Sequence, residues 1–481
     1  MTSLGSTWRR WDLHVHTPAS FHWSGKKLHE QTPEERTATW QAIADRINAT
    51  DIDAFGIMDY WTFDGYLGFR EFLQQKPAAT TKRVFPGIEL RLEAPTDHRL
   101  NTHVIFDDSL SADTLAHFLA RLNIGGPQGR PPARETFIAI AKSYDAGKLR
   151  LHGCTPADKN DDDKMHLLGM QTAVVTRESL LQAVSVVGED RCLIVQPYDT
   201  NDGLEDLDWK RHPYTDSYLM KMAHIFETRD PVHVALFLGF GHATKKTLGS
   251  EFLDNLGGYP KPVVSGSDAH RVQDYGIYPS DRVTWLKAQP TFAGLQQVCN
   301  EPSLRCFIGA SPPKREHIAQ NPTKYIDTLR IAKVAGSSLD EHWFDGFALE
   351  LNPGLIAIIG NKGSGKSALA DILALAGNTH CAEMEFLNDT RFRRGENKAK
   401  EFEASLTWAD GSTVAVTLDR DSDMDQPERV RYLPQQFIEN LCNEIASGDE
   451  TNFERELKKV IFSHVPEDRR LNKASLDPDQ A

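Results

Sequence analysis

The chain has 481 residues, with 54 lysines and arginines against 68 aspartates and glutamates, so its formal net charge is −14. Its 40% of hydrophobic residues and 25% of charged residues are typical of a soluble globular protein and exclude a disordered, collagenous or membrane-bundle chain. The six cysteines form no CxxC pair and the N-terminus has no apolar signal segment, so we expect reduced thiols, a cytoplasmic protein and no membrane partner.

The first 300 residues alternate predicted strands with predicted helices. Strands are predicted at Trp11–His16, Asp53–Asp59, Val84–Leu92, His103–Phe106, Cys192–Gln196, His224–Glu227 and Pro262–Ser265, and helices at Pro33–Ile47 and Pro290–Val298. The acidic segment Asp158–Lys164 is predicted to be a solvated loop. This alternation is typical of βα units and predicts an α/β fold.

A boundary is predicted at residues 309–323, which contain three prolines and a charge cluster. Beyond it, strands are predicted at 325–334, 346–351 and Gly354–Ile359, a helix at Ser367–Ala376 and a hairpin across Phe402–Leu418. The chain is therefore divided into a first domain at 1–312, a linker at 313–323, a second domain at 324–470 and a disordered tail at 471–481.

Two histidines mark the end of the first predicted strand. His14 and His16 are two positions apart, so their imidazoles lie on the same side of the strand, and His22 follows in the next loop. Neutral imidazoles and carboxylates are the ligands that borderline divalent metals prefer. Further candidate ligands stand at the ends of later strands: Glu89, His103, Asp268 and His270. The pattern predicts a metal centre.

The order and setting of these motifs resemble the PHP family (polymerase and histidinol phosphatase domain) over residues 8–310. The resemblance implies a distorted (β/α)7 barrel that hydrolyses phosphoesters, with Mn, Zn or Fe at the carboxyl ends of its strands. It implies these ligand sets: His14, His16, Glu89 and Asp268 for one metal, His22 and His270 for a second, and His103 with Glu89 for a third. Asp268 and Glu89 are also the catalytic residues that it implies.

Two positions depart from the pattern of the family. Tyr60 and Gln196 stand where the family has histidines, so one metal site has its full set of ligands and the others have fewer ligands than in the family. Arg91, two residues beyond Glu89, is a candidate for neutralising phosphate charge, with an ordinary surface arginine as the alternative. Asp59 and Asp199 are candidates for orienting ligand histidines.

A phosphate-binding loop is predicted between the apolar strand and the helix of the second domain. The sequence Gly360-Asn361-Lys362-Gly363-Ser364-Gly365-Lys366-Ser367 matches GxxxxGK[ST] in full. In such a loop, backbone N–H groups and the N-terminus of the helix cradle the phosphates. Lys366 is expected to reach the β- and γ-phosphates and Ser367 to bind Mg²⁺, so ATP and Mg²⁺ are the expected ligands.

The second domain resembles the first lobe of an SMC-like, ABC-type ATPase head, a partial P-loop lobe of α+β structure. Tyr432-Leu433-Pro434-Gln435-Gln436 is similar to a Q-loop, which assigns Gln435 or Gln436 to the nucleotide. An acidic Walker B strand and an LSGG-type signature are missing after Lys366. We therefore expect a truncated or split ATPase that a second protein or a second copy completes.

Together the two domains resemble the TrlF-like group of PHP–ATPase fusions. The resemblance implies a metal-dependent phosphoesterase or nuclease that ATP regulates, acting on nucleic acid in maintenance, DNA repair or phage defence. The acidic net charge neither supports nor excludes a nucleic-acid partner. The alternative is a catalytically silent barrel joined to an ATP-binding module. Tyr60 and Gln196 favour this alternative, and the intact first ligand set favours the enzyme.

Overall fold

The computed structural model describes residues 4–94, 99–125, 129–206, 213–244, 246–381, 383–395, 398–435 and a few positions between 458 and 470. The chain forms two compact units, Gly5–Glu316 and His317–Ala481 with Met1–Leu4, and the division falls inside the predicted linker. Gln436, Cys442 and the predicted tail at 471–481 lie outside the described residues. Within the described part, no helix is both long and apolar enough to cross a membrane.

Nine described strands of the first unit form one sheet. They are β1 (Trp8–Val15), β2 (Ile52–Ile57), β3 (Arg83–Leu92), β4 (Leu100–Phe106), β5 (Cys192–Pro197), β6 (Ile225–Glu227), β7 (Val263–Val264), β8 (Thr284–Lys287) and β9 (Cys306–Ile308). Their order across the sheet is β7-β6-β5-β4-β3-β2-β1-β8-β9. The edge strands β7 and β9 come together, since the thiol of Cys306 accepts a hydrogen bond from the backbone of Val263. The sheet is thus a nearly closed, barrel-like sheet.

Parallel and antiparallel pairings alternate around this barrel. β1, β2 and β3 are parallel, as are β5, β6 and β7, whereas β4 runs antiparallel to both of its neighbours and β8 runs antiparallel to β1 and β9. β4 and β5 are buried at every residue, which is typical of strands covered on both faces. The mixed pairing is the distortion that separates this α/β barrel from a regular one.

Helices surround the sheet. They are α1 (Pro33–Ala49), α2 (Asp64–Gln75), α3 (Ala112–Arg121), α4 (Arg134–Lys142), α5 (Ala146–Leu151), α6 (Asp162–Thr172), α7 (Arg177–Val187), α8 (Pro213–Met222), α9 (Pro231–Phe237), α10 (Lys246–Asn255), α11 (Phe292–Asn300) and α12 (Pro302–Arg305). α1 begins as its sequence indicates: Thr32 caps it in a capping box with Glu35, and Pro33 follows at the first helical position. Its predicted inner face, which includes Trp40 and Ile43, is buried in the core.

The prediction of a solvated loop at Asp158–Lys164 is wrong in its second half. α6 begins at Asp162, and the carboxylate of Asp161 accepts hydrogen bonds from the backbone N–H groups of Asp163 and Lys164. Acidic side chains stabilise the first turn of a helix through its unpaired N–H groups and its dipole. The acidic cluster therefore starts a helix.

The second unit has a four-stranded antiparallel sheet in the order β11-β10-β12-β13. Its elements are β10 (Ile326–Lys333), β11 (Phe347–Glu350), the helix α14 (Lys366–Ala376), β12 (Phe402–Trp408) and β13 (Thr413–Thr417), and the helix α13 (Pro313–Gln320) spans the division between the units. The predicted hairpin is present as β12 and β13. Ile372 and Leu375 of α14 pack in the core of this sheet.

The predicted strand at Leu355–Ile359 is not a strand in the structure. None of the described strands pairs with it, and the side chains of Leu355 and Ile359 are 97% and 88% exposed. A β-strand needs a neighbouring strand to satisfy its backbone, so β-propensity alone does not form one.

Candidate metal centre

The candidate ligands come together at one end of the barrel, although Glu89 lies inside β3 rather than at the strand end that the sequence predicted. β1 carries His14 and leads into His16, β3 carries Glu89, and the loop after β7 carries Asp268. Asp268 has a positive φ of 50°, a conformation that costs free energy for a residue other than glycine and is concentrated at functional sites. Its backbone N–H donates to the carbonyl of His14, at 2.9 Å, which fixes it beside β1.

Four of the predicted ligands form a ring of alternating imidazole nitrogens and carboxylate oxygens. His14 Nε2 lies 3.6 Å from Glu89 Oε2 and 3.4 Å from Asp268 Oδ1. His16 Nε2 lies 3.5 Å and 3.4 Å from the same two oxygens. Ligand atoms about 2.1 Å from one divalent ion lie roughly 3.0–3.4 Å from one another, so the ring has the dimensions of a coordination shell.

Several atoms of this ring are buried and unsatisfied. His14 Nε2, His16 Nε2 and Glu89 Oε2 have no hydrogen-bond partner among the described residues, and neither does His103 Nε2 nearby. Buried polar atoms are rarely left without a partner, because each one costs about 1–3 kcal/mol. The atoms of His14, His16 and Glu89 converge on one point, which fits a bound divalent ion.

Glu227 belongs to this centre although the sequence analysis gave it no role. It ends β6, and its Oε2 accepts from Nδ1 of His14 at 3.1 Å and lies 3.6 Å from Nδ1 of His103. A carboxylate on Nδ1 fixes the tautomer of an imidazole and leaves Nε2 free as a ligand. The only signal in the sequence is a glutamate at a strand end, which many surface residues share.

The residues of the centre differ in protonation. Burial lowers the pKa of His14, but the charges of Glu227 and Asp268 outweigh it and raise that pKa well above its ordinary value, so a metal ion that binds here must displace a proton from His14. Burial lowers the pKa of His16 to about 4, so this imidazole is neutral at pH 7. Burial raises the pKa of Glu89, but the neighbouring imidazoles of His103 and His14 outweigh it and lower that pKa overall. The neighbouring histidines also lower the pKa of Asp268 against the effect of burial. Metals bind neutral imidazoles and ionised carboxylates.

Tyr60 and Gln196, which replace histidines of the family, are both buried beside the ring of ligands. The ring of Tyr60 stacks on His16 with 5.5 Å between centroids, and its hydroxyl lies 3.5 Å from Nδ2 of Asn101. Gln196 donates from Nε2 to the carbonyl of Asn101 at 2.6 Å. Asn101 in turn donates from Nδ2 to Oε1 of Glu89 at 2.6 Å. These side chains serve the hydrogen-bond network around Glu89.

His22 and His270 lie together on the open side of the centre, with 5.7 Å between their ring centroids. His270 Nε2 is 3.4 Å from Asp268 Oδ1, and its ring stacks on His16. His22 is exposed and its ring lies beside that of Tyr60. The structure therefore brings His270 into the ring of ligands and leaves His22 at its edge.

Asp59 and Asp199 make contacts other than the predicted ones. Asp59 accepts from the backbone N–H and the hydroxyl of Thr17, at 2.7 and 2.6 Å. Asp199 accepts from His233, which is outside the ligand ring, and from the backbone N–H of Arg229 at 2.8 Å. Both aspartates thus fix the loops that carry site residues rather than the ligand histidines themselves.

Three arginines line the cavity of about 210 Å³ over the centre: Arg91, Arg99 and Arg229. Arg91 is 2% exposed, and its Nε and Nη1 have no hydrogen-bond partner among the described residues. The alternative of an ordinary surface arginine is therefore wrong for this position. Sequence reasoning named only Arg91, because the other two reach the cavity through loops whose course it does not predict.

The glycine-rich loop of the second unit precedes the helix α14, but no described strand leads into it, although its motif requires one. Gly363 and Gly365 have φ values of 84° and 91°, which favour glycine. Nζ of Lys366 bends back over the loop to the carbonyls of Gly360 and Asn361, at 2.8 and 3.0 Å. Ser367 follows in the first turn of α14. The backbone N–H of Gln435 donates to Glu385 at 2.8 Å.

The chain matches no protein-family model and no curated protein. Among solved structures, an amidohydrolase from Chromobacterium violaceum with bound sulfate and no metal aligns with 63% of this chain and 99% of its own, at 14% identity and a TM-score of 0.32. A protein from Bifidobacterium adolescentis named as a metal-dependent phosphoesterase aligns with 63% of this chain and 96% of its own, at 13% identity and a TM-score of 0.29. Both neighbours are hydrolases by name, and at these scores the chemistry of this chain rests on its own side chains.

Proposed function

We propose that the barrel is a metal-dependent hydrolase of phosphoesters. The observation that supports it most strongly is the ring of His14, His16, Glu89 and Asp268, whose buried atoms converge without partners. A divalent ion at such a ring supplies an acidified water and polarises a phosphoryl oxygen. Mn, Zn and Fe all accept this mixture of imidazole and carboxylate ligands.

The residues around the ring divide the remaining tasks. Glu227 orients His14 and His103, and Asp12 fixes the loop that carries Asp268 through the N–H of Ser267 at 3.0 Å. The guanidinium groups of the cavity would bind and orient an anionic substrate over the ring. Orientation of this kind converts a bimolecular step into an effectively unimolecular one.

The three arginines favour a phosphoester over an amide. An amide substrate brings no negative charge at the reacting centre, so it gives the two unpaired guanidinium nitrogens of Arg91, Nε and Nη1, no anion to bind. Arginine binds phosphate through two parallel hydrogen bonds. We propose nucleic acid as the source of the phosphoester and nucleic-acid maintenance, DNA repair or phage defence as the context, as the family resemblance implies.

A panel of substrates tests this proposal. The metal-loaded full chain should hydrolyse a phosphomonoester or phosphodiester and leave a matched amide intact, and chelation should abolish turnover. Arg91→Met should raise KM by about 10–100-fold, because a charged hydrogen bond contributes about 1.5–3 kcal/mol. Arg271→Met, which removes a surface pair with Asp274, is the control. Amide hydrolysis without phosphoester hydrolysis would overturn the proposal.

We further propose that the second unit binds ATP with Mg²⁺. The contacts of Lys366 with the loop carbonyls and the positive φ of Gly363 and Gly365 support this proposal. Lys366→Ala should abolish binding of a fluorescent ATP analogue, whereas Lys324→Ala on the exposed surface should leave it unchanged. Equal binding by both variants would contradict the site.

Hydrolysis of ATP is proposed to depend on a partner. The sequence patterns of a Walker B segment and of an LSGG-type signature do not occur in residues 367–481, and we propose that a second protein or a second copy supplies them. The isolated chain should therefore bind ATP and hydrolyse little of it. The alternative function, a silent barrel that serves as a scaffold for this module, predicts no metal-dependent turnover by the barrel.

A further inference from the structure

We infer that the barrel binds one divalent ion and excludes a second, because Asn101 occupies the hydrogen-bonding position of Glu89 that a second ion would need and Tyr60 replaces a ligand imidazole beside it. This inference rests on the proposed function only in assuming that the ring binds metal. It contradicts the expectation of two or three metals that the family resemblance gave.

The groups of side chains able to bind metal describe one position rather than several. One of these groups contains His16, Asp268 and His270. Its atoms His16 Nε2 and Asp268 Oδ1 also belong to the ring with His14 and Glu89. An atom that ligates one ion has little left for a second. His270 therefore completes the shell of the same ion and does not begin another site.

The group of His14, His103 and Glu227 is a hydrogen-bonded network rather than a second site. The shortest distance in this group joins Nδ1 of His14 to Oε2 of Glu227. At 3.1 Å it is the distance of a charge-assisted hydrogen bond. The Nε2 atom of His14 already faces the ring. A neutral imidazole has one N–H and one free lone pair, so His14 donates to Glu227 and binds metal only once.

Glu89 is the side chain that a second ion would have to share. Its Oε2 faces His14 and His16, and its Oε1 lies 3.4 Å from His103 Nε2. That Oε1 also accepts the amide of Asn101 at 2.6 Å. A donor N–H at this distance occupies a lone pair of Oε1, the oxygen that an ion between Glu89 and His103 would have to share.

Tyr60 lies beside Glu89, between the rings of His16 and His22. Its phenol is 8% exposed, and its ring lies parallel to His16 and edge-on to His22. Tyr60 pairs with Glu89 through the backbone, and its hydroxyl lies 3.5 Å from Nδ2 of Asn101, so at this point the site offers a neutral phenol instead of an imidazole to a metal. In the described part of the chain, no group of three metal-ligating side chains includes His22.

Metal stoichiometry tests the inference. The full chain, stripped by chelator and reloaded with Mn²⁺, should bind one equivalent by elemental analysis and give the resolved spectrum of an isolated ion in electron paramagnetic resonance. Tyr60→His should bind two equivalents and give a spin-coupled spectrum, and Tyr60→Phe, which removes the hydroxyl without adding a ligand, should stay at one. Asn101→Asp provides a second route to the same gain, because it replaces the donor with a carboxylate.

Each outcome decides between named possibilities. Two or more equivalents of similar affinity in the wild type would overturn the inference and leave the proposed hydrolase intact. No bound metal in the wild type would overturn the proposed function itself. If the wild type binds one equivalent and both folded variants, Tyr60→His and Asn101→Asp, also stay at one, these residues do not exclude the second ion and the inference is wrong.

Discussion

At the scale of single residues, the orientation of the ligand imidazoles determines how well the centre binds metal. Glu227 accepts from Nδ1 of His14 and lies beside Nδ1 of His103. Glu227→Gln should lower metal affinity by about 10–100-fold, the usual effect of losing a carboxylate partner of a metal-binding histidine. Titration of the stripped protein with Zn²⁺ measures it, with Glu205→Gln as control, since Glu205 is 53% exposed. Unchanged affinity in Glu227→Gln would show that this carboxylate does not orient the ligands.

A second residue predicts how stability depends on pH. Nδ1 of His224 accepts the backbone N–H of Ile194 at 3.0 Å, and burial lowers the pKa of His224 to about 4 from its ordinary 6.5. At pH values between these two pKa values, His224 is protonated in the unfolded chain and neutral in the folded chain. The free energy of unfolding therefore falls as the pH falls. By pH 5 the shifted pKa of His224 should lower the free energy of unfolding by about 2 kcal/mol. His224→Asn keeps a hydrogen-bond acceptor but does not titrate, so its free energy of unfolding, measured with urea, should fall less between pH 7 and pH 5 than that of the wild type. An equal fall in both proteins would refute the prediction.

At the scale of secondary structure elements, the strand ends and their loops build the site. Asp12 in β1 accepts from the N–H groups of Ser267 and Gly276, at 3.0 and 3.1 Å, and so ties the loop of Asp268 to β1. Asp12→Asn should destabilise the fold by about 1–3 kcal/mol, because one buried N–H loses its acceptor, and should weaken metal binding. Urea unfolding and metal titration measure both effects. Asp53→Asn, on a surface pair with Arg9, should change neither.

The element scale also shows what the sequence could predict. His14 and His16 follow from the two-residue period of a strand, and Asp268 follows from its place in the loop after β7, whereas Glu89 lies inside β3. Glu227 and the two loop arginines could not be predicted, because single residues carry no spacing pattern and their approach depends on tertiary contacts. The failed strand at Leu355–Ile359 has the same cause: pairing depends on a neighbour that local sequence does not describe.

At the scale of the whole molecule, the two compact units carry separate candidate sites. A ligand stabilises only the unit that binds it, since binding to the folded state shifts its unfolding equilibrium. Thermal unfolding of the full chain should therefore show two transitions. Chelation should lower the transition of the barrel alone, and ATP with Mg²⁺ should raise the other alone. A single transition that responds to both ligands would contradict two independent sites.

The central claim is that the ring of His14, His16, Glu89 and Asp268 binds a divalent ion that supports phosphoester hydrolysis. Its most direct measurement compares the wild type with Asp268→Asn in bound metal and in Mn²⁺-dependent turnover of a phosphodiester, on samples shown by circular dichroism to be folded. We predict that the wild type carries metal and turns over, and that the variant loses both together. Equal turnover by the two proteins, or a wild type that binds no metal after reloading, would contradict the account.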